Sequence, residues 1–172
     1  FAEIVLSLPF LPLMITVSAI TMDIVKAEHR MYMVMVLLGC MTWPGLARMI
    51  RGEILSLREQ EFMQATTALG LSTFRKIFVH LIPNTIGYIV VSATFGLANA
   101  IITESALSYI GLGIVPPIPS WGNLINSARD YYVFTDRWWL WILPGVILFL
   151  AVLSINLIGE GLRDAFDPKS RR

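Results

Sequence analysis

Side chains able to do covalent or redox chemistry are few in this chain and widely separated. His29 and His80 lie far apart with no regular ligand spacing, so no metal site is expected. The single cysteine, Cys40, excludes an internal disulfide framework and a Cys-rich zinc module. It stands within an apolar run and reads as a small packing residue. The stretch 70–76, Gly-Leu-Ser-Thr-Phe-Arg-Lys, lacks the second glycine of a phosphate-binding loop. Paired carboxylates, a nucleophile elbow and an HExxH zinc motif are also missing from the sequence. The expectation is a chain with no catalytic residues that binds no cofactor and cannot hydrolyse ATP by itself. Glu104 closes a long apolar stretch, where an ionisable group is costly unless paired or wet. It is a candidate gate or solute contact, and an interfacial position explains it equally well.

The elements that would position these groups follow from composition. Of 172 residues, 56% are hydrophobic and 15% charged, against about a quarter charged in soluble domains. Such a chain is neither a disordered tail nor, with a net charge of +1, a nucleic-acid binder. Charge-free stretches cover 4–22, 31–47, 77–103 and 138–159. A bilayer core needs roughly twenty apolar residues of helix. The expected fold is therefore all-α: a polytopic membrane bundle with four transmembrane helices, at about 4–22, 31–50, 81–103 and 138–160. The chain starts at Phe1 with an apolar run and no basic segment or cleavage site ahead of it. That argues against a signal peptide and for a natural N-terminus lying further upstream.

Basic residues set an orientation. The connection between the second and third spans holds Arg48, Arg51, Arg58, Arg75 and Lys76, and the tail holds Arg163, Lys169, Arg171 and Arg172. The other two connections hold only Lys26, Arg30, Arg129 and Arg137. The positive-inside rule puts the middle loop and the C-terminus in the cytoplasm. Trp138, Trp139 and Trp141 then form an aromatic belt where the last span enters from the outer face. Glu3 and Glu160 fall near cytoplasmic span ends and are expected to be solvated.

The cytoplasmic loop, about 51–80, carries its own punctuation. Ser56-Leu57-Arg58-Glu59 has capping-box spacing, predicting a helix start near Leu57. Phe62, Ala65, Thr66 and Leu69 recur at three- and four-residue steps and predict one apolar face. Gly70 is a candidate C′ residue, and Ser72 can cap a second helix with Phe74, Ile77, Phe78 and Leu81 on one side. Pro83 is expected to mark the turn into the next span. The loop reads either as a surface hairpin that only connects two spans or as a docking knob with Glu59, Glu61 and Gln64 on its wet side.

Three further features belong to the spans and the outer segment. Pro44 and Gly45 interrupt the second span near its cytoplasmic end and predict a kink, a candidate hinge. Ser92, Gly96 and Ala100 recur every fourth residue in the third span and predict close helix packing. The outer segment, about 104–137, reads as a short helix over 105–115 dipping into the outer leaflet and closed by Pro116, Pro117 and Pro119. Ser120 then caps an amphipathic helix with Leu124, Ile125 and Ala128 on one side.

Gln64-Ala65-Thr66 followed by Gly70 and Pro83 resembles the EAA loop of bacterial ABC importer permeases. This chain has Gln64 for the glutamate, Thr66 for the second alanine and Ile82 before the proline. The resemblance extends to Trp43-Pro44-Gly45-Leu46-Ala47-Arg48 and Ser105-Ala106-Leu107-Ser108-Tyr109-Ile110-Gly111-Leu112-Gly113. It continues through Pro116-Pro117-Ile118-Pro119-Ser120-Trp121-Gly122 and Leu162-Arg163-Asp164-Ala165-Phe166-Asp167-Pro168. Together these resemble the second permease subunit of the oligopeptide, dipeptide and nickel importer family.

The resemblance implies an N-terminally truncated importer transmembrane domain over 1–172, the last four of about six helices. It implies a coupling helix seated in a cytoplasmic ATPase, with Glu61, Gln64, Ala65, Thr66, Ala68, Leu69 and Gly70 as its residues. Implied partners are a second permease subunit in a heterodimer, two ATPase subunits carrying ATP and Mg, an extracytoplasmic substrate-binding protein and membrane lipid. The implied location is the bacterial cytoplasmic (inner) membrane. The competing function is a stand-alone secondary carrier or channel, which would need intramembrane charges along a path.

Overall fold

The computed structural model describes residues 2–21 and 24–166. Helices α1 (Ala2–Leu6) and α2 (Phe10–Thr21) are followed by a 3-10 turn at Ala27–His29 and the long α3 (Arg30–Arg58). The loop helices are α4 (Glu61–Ala68) and the single turn α5 (Thr73–Arg75), which leads through a π-helix at Lys76–Leu81 into α6 (Ile82–Tyr109). Beyond it lie α7 (Trp121–Asn126), α8 (Tyr131–Asp136) and α9 (Trp139–Phe166). Among the described residues three helical stretches are long and apolar enough to cross a membrane: Ala27–Arg58, Thr73–Tyr109 and Trp139–Phe166.

The first of the four expected spans is therefore corrected. Residues 4–21 hold two helices: the Ser7 hydroxyl donates to the Ile4 carbonyl at 2.7 Å and Pro9 precedes α2. Phe10–Thr21 is apolar but only 12 residues long. Met22, the last residue of that expected span, lies outside the described residues, as do Asp167, Pro168, Lys169, Arg171 and Arg172.

Two further boundaries move. Ser56 caps nothing: α3 runs on to Arg58, with Leu57 buried and Ile54 packed beside it on the same face. The amphipathic pattern simply continues past Arg48, so Gln60, in extended conformation, becomes the residue before α4. Pro83 is no turn either. It falls in the first turn of α6, where its missing N–H and its crowding of the carbonyl four residues back are absorbed by the π-helix ahead. The Ile82 N–H reaches back five residues to the Ile77 carbonyl, and the Asn84 side chain donates to the His80 carbonyl at 2.6 Å. The helix is thus unbroken from Thr73 to Tyr109.

Gly111, not the prolines, closes α6. Its φ of 85° lets the Leu112 N–H reach the Leu107 carbonyl at 2.9 Å and its own N–H the Ser108 carbonyl at 3.1 Å. This is the paired hydrogen bonding of a Schellman stop, for which glycine carries no Cβ penalty. Residues 105–109, expected in a separate dipping helix, are the last turns of α6.

Packing is sparse for so apolar a chain. A small core joins Met14 of α2, Val34 and Leu38 of α3 and Leu107 of α6. Helix α9 buries only Gly159 among its 28 residues. The chain exposes 11688 Å², whereas a folded soluble monomer of its mass would expose about 8,500 Å². Large apolar side chains contribute to it, among them Phe149, Leu157 and Ile158 along α9. An apolar surface of that extent is stable in lipid or against other helices. The chain is a multi-pass helical membrane protein.

Within the described residues, close approach between helices is made at Gly159, Gly87 and Gly122. A Cβ on Gly159 of α9 would stand 3.3 Å from Phe95 and Thr94 of α6, and one on Gly87 would stand 2.9 Å from Phe166. A Cβ on Gly122 of α7 would meet the Ser105 carbonyl oxygen at 2.1 Å. At Gly96 nothing lies within 4 Å. Gly122→Ala is expected to lower the thermal midpoint of the detergent-solubilised chain, a cost of about 1–3 kcal/mol from overpacking. Gly96→Ala should leave the midpoint unchanged or raise it, since alanine favours helix over glycine by up to about 1 kcal/mol. Equal midpoints for the two variants would show that α7 does not pack on α6 as described.

Candidate functional site

The loop between α3 and α6 is built as a rigid knob. Helix α4 turns Phe62, Met63 and Thr66 inward, where Met63 packs with Leu57 of α3 and Leu81 of the π-helix. The Thr66 hydroxyl donates to the Met63 carbonyl at 2.7 Å, so its burial leaves no polar group stranded. This corrects the expected face: Ala65 and Leu69 point outward, and Leu69 is 78% exposed. Glu61, Gln64, Ala65, Ala68 and Leu69 thereby form one exposed stripe, and of the seven residues singled out only Thr66 is buried.

The C-terminal end of the knob and the turn after it are fixed. Gly70, with φ 67°, allows the Leu71 N–H to reach the Thr66 carbonyl at 3.2 Å and its own N–H the Thr67 carbonyl at 3.0 Å. Here the expected C′ glycine is where the sequence placed it. Ser72 caps the next turn by accepting from the Arg75 N–H at 3.4 Å, and the Lys76 ammonium donates to the Thr67 hydroxyl at 3.0 Å. Of the expected second apolar face only Leu81 is buried. Phe74 and Phe78 are exposed and lie against each other, with ring centroids 4.4 Å apart.

Gln64 acts as a donor: its Nε2 reaches the Glu59 carbonyl at 3.2 Å, a bond no carboxylate could donate. Between α3, α4 and the π-helix lies an open cleft of ≈ 780 Å³, with Arg58, Gln64, Thr67 and Lys76 on its walls.

At the opposite end of α6, Glu104 is half-buried. It accepts from the Ser108 hydroxyl at 2.6 Å and from Ser105 at 3.4 Å. Ser108, itself 1% exposed, accepts in turn from the Ile114 N–H at 2.9 Å. Glu104 thus orients a hydroxyl that holds the outer segment onto α6. Asn126 of α7 also donates to the Tyr109 carbonyl there, and Ser120 caps α7 by accepting from Asn123 at 3.2 Å. Sequence reasoning missed Ser108, although a buried serine four residues after a glutamate on a helix is a legible pairing.

The other candidates are placed as follows. Pro44 is buried and α3 is helical through it, while a Cβ on Gly45 would meet open space. The Ser92 hydroxyl donates to the Met49 sulfur of α3 at 3.1 Å, and Ala100 packs on the α2–α3 core. Cys40 is exposed on α3, contrary to the expected packing role. Glu3 pairs with Arg48, joining α1 to α3.

Comparison with known proteins adds a family. The profile described as binding-protein-dependent transport system inner membrane component matches residues 1–172. A putative peptide permease protein of Brucella ovis is 49% identical over 135 residues, covering 78% of this chain and 45% of the relative. A putative peptide transport system permease protein of Brucella suis is 42% identical over 126 residues, covering 73% of this chain and 42% of the relative. The di/tripeptide transport system permease protein DppC of Pseudomonas aeruginosa is 35% identical over 167 residues, 97% of this chain and 52% of the relative. The chain spans about half the length of the curated relatives it matches.

Two substitutions test the geometry. Gly70→Ala is expected to cost about 1–2 kcal/mol from the left-handed backbone, speeding amide exchange over 61–69 by roughly tenfold. Exchange in α9 should be unaffected, and unchanged exchange over 61–69 would refute the α4 stop. Ser108→Ala should leave the Ile114 N–H unpaired at a cost of about 1–3 kcal/mol. The expected readout is faster protease cleavage within 110–120; cleavage at the parent rate would refute the latch.

Proposed function

From the premise that this chain belongs to the family of binding-protein-dependent transport system inner membrane components, we propose that it is a permease subunit of an ATP-driven peptide importer. The observation that carries this reading is the exposed stripe Glu61, Gln64, Ala65, Ala68 and Leu69. It stands on a helix whose other side, C-terminal end and neighbouring turn are all fixed. A stripe held that firmly yet left uncovered, with two alanines and a leucine between polar groups, has the chemistry of a seat for another protein. In the proposed importer it is the coupling helix, and the occupant is a cytoplasmic ATPase subunit.

The subunit itself is non-catalytic in this reading, and ATP and Mg reside on two ATPase partners. A second permease subunit supplies the other half of the path, in a heterodimer, and an extracytoplasmic binding protein delivers cargo. The cargo class, peptides, comes from the relatives, two of which are named as peptide permeases and one as a di/tripeptide permease. The membrane is the bacterial inner membrane, with the loop and the C-terminus cytoplasmic. The contact of Phe166 with Gly87 supports placing both at one end of the bundle. Movement of the knob passes along the unbroken helix from Thr73 to Tyr109 and, through α3, to the candidate hinge at Pro44 and Gly45.

Crosslinking tests the reading in native membranes. A single cysteine replaces Ala68 in the full-length protein, with Cys40→Ser and any other cysteines removed, and adducts are identified by mass spectrometry. The expected adduct is a protein carrying a phosphate-binding loop, with a yield that changes when nucleotide is added. A well-expressed protein that gives no ATPase adduct under any nucleotide condition would overturn the proposal.

A further inference from the structure

The densest exposed aromatic cluster lies far from the loop, in the nine residues that lead into α9. Tyr131 is 82% exposed, Tyr132 56%, Phe134 51%, Trp138 51% and Trp139 44%. Five large rings facing outward on a soluble surface would be a heavy aggregation liability. Three observations fix where they are. Phe134 of α8 stacks on Trp141 of α9 with centroids 5.3 Å apart and planes within 6°. The Arg137 carbonyl accepts from the Leu140 N–H at 2.9 Å, so the connection between α8 and α9 is a hydrogen-bonded turn and not a free linker. Finally, α9 begins at Trp139 and contains the most apolar 18-residue window of the three spans. The first turn of such a span lies at the membrane boundary, and α8 is pinned alongside that turn.

We propose that α8 is an interfacial anchor that lies in the outer headgroup layer of the bilayer and fixes the depth of α9. Tyrosine and tryptophan favour that layer because an apolar ring and a polar tip are satisfied there together. Polar groups complete the match. Asp130 caps α8 by accepting from the Tyr132 and Val133 N–H groups at 2.8 and 3.2 Å. The Arg137 guanidinium lies over the Tyr132 ring at 5.3 Å, a cation positioned for lipid phosphate. The inference extends the tryptophan belt read from sequence to a helix lying along the membrane. It also removes α8 from the surface offered to a binding protein, leaving α7 and the proline segment for that role. The interfacial placement depends on α9 crossing a bilayer, and the choice of the outer layer rests on the orientation proposed above.

Depth measurement by nitroxide labelling decides it. Single cysteines at Tyr131 and, separately, at Phe134 are labelled in the full-length protein with Cys40→Ser and any other cysteines removed. The protein is then reconstituted into phosphatidylcholine–phosphatidylglycerol vesicles. Relative collision rates with oxygen and a water-soluble nickel chelate should place both labels about 5–10 Å inside the headgroup boundary. The Tyr131 label serves even if replacing Phe134 disturbs the stack on Trp141. Nickel-chelate access equal to that of the free nitroxide in water would overturn the proposal. So would access that is open in vesicles and closes only when a soluble binding protein is added, because the surface would then belong to that protein.

Discussion

The fold depends on one helix remaining continuous past a proline. From Thr73 to Tyr109 the backbone is helical, and this rod is what the loop, α9 and the outer segment are each attached to. In hydrocarbon every backbone donor and acceptor must be satisfied within the protein, so a break at Pro83 would expose groups that lipid cannot pair. The chain avoids the break by widening the turn ahead of the proline and by lending side chains. Asn84 bonds the His80 carbonyl, and Thr85, which is 1% exposed, donates to the Ile82 carbonyl at 2.9 Å. A six-residue π-helix is a costly conformation. It lies between the loop and the span, and α4 packs on it through Leu81 as well as on α3 through Leu57.

Prolines explain much of what hydropathy could and could not reveal. A charge-free window measures how a segment partitions, not whether its backbone is continuous. Pro9 and Pro12 stand at the start of α2, where the missing donors would have had no helical partner in any case. They therefore mark a boundary within one apolar stretch. Pro44 and Pro144 lie inside long helices that pass through them. The same residue type opens one helix and lies inside three others, a difference that no charge-free window carries. Ser56-Leu57-Arg58-Glu59 failed for a related reason. A capping box needs a non-helical residue before it, and the inward face of α3 continues through Ile54 and Leu57.

Some positions that a backbone angle or a cap dictates were legible, although the stop at Gly111 was not. Gly70 stops α4 because only a residue without Cβ adopts its conformation freely, and Ser72 and Ser120 cap because a hydroxyl can meet an orphan N–H. Which face a helix buries was harder. On α4 the three- and four-residue spacing fitted two adjacent faces, and the choice between Leu69 and Met63 was made by Leu57 and Leu81, residues outside the helix. The small-residue stripe Ser92–Gly96–Ala100 has the same weakness. Spacing defines a face but names no neighbour, and the tight glycine contacts fall instead at Gly87, Gly159 and Gly122.

Four of the polar side chains that the fold buries are bonded within their own helix, whereas the Ser18 hydroxyl and the Trp141 indole N–H are buried with no partner among the described residues. Thr66 and Thr85 return their hydroxyls to carbonyls three residues back, while Ser105 and Ser108 turn theirs to the Glu104 carboxylate. A hydroxyl bonded in this way enters an apolar environment at little cost, which is why these residues can be buried at all. A chemical site would ask the opposite of them, a free polar atom aimed at a shared space. The exposed features are of another kind: an apolar-and-polar stripe at one end of α6, and aromatic rings at the end where the chain enters α9. Both suit contact with large neighbours, a protein at one end and lipid at the other.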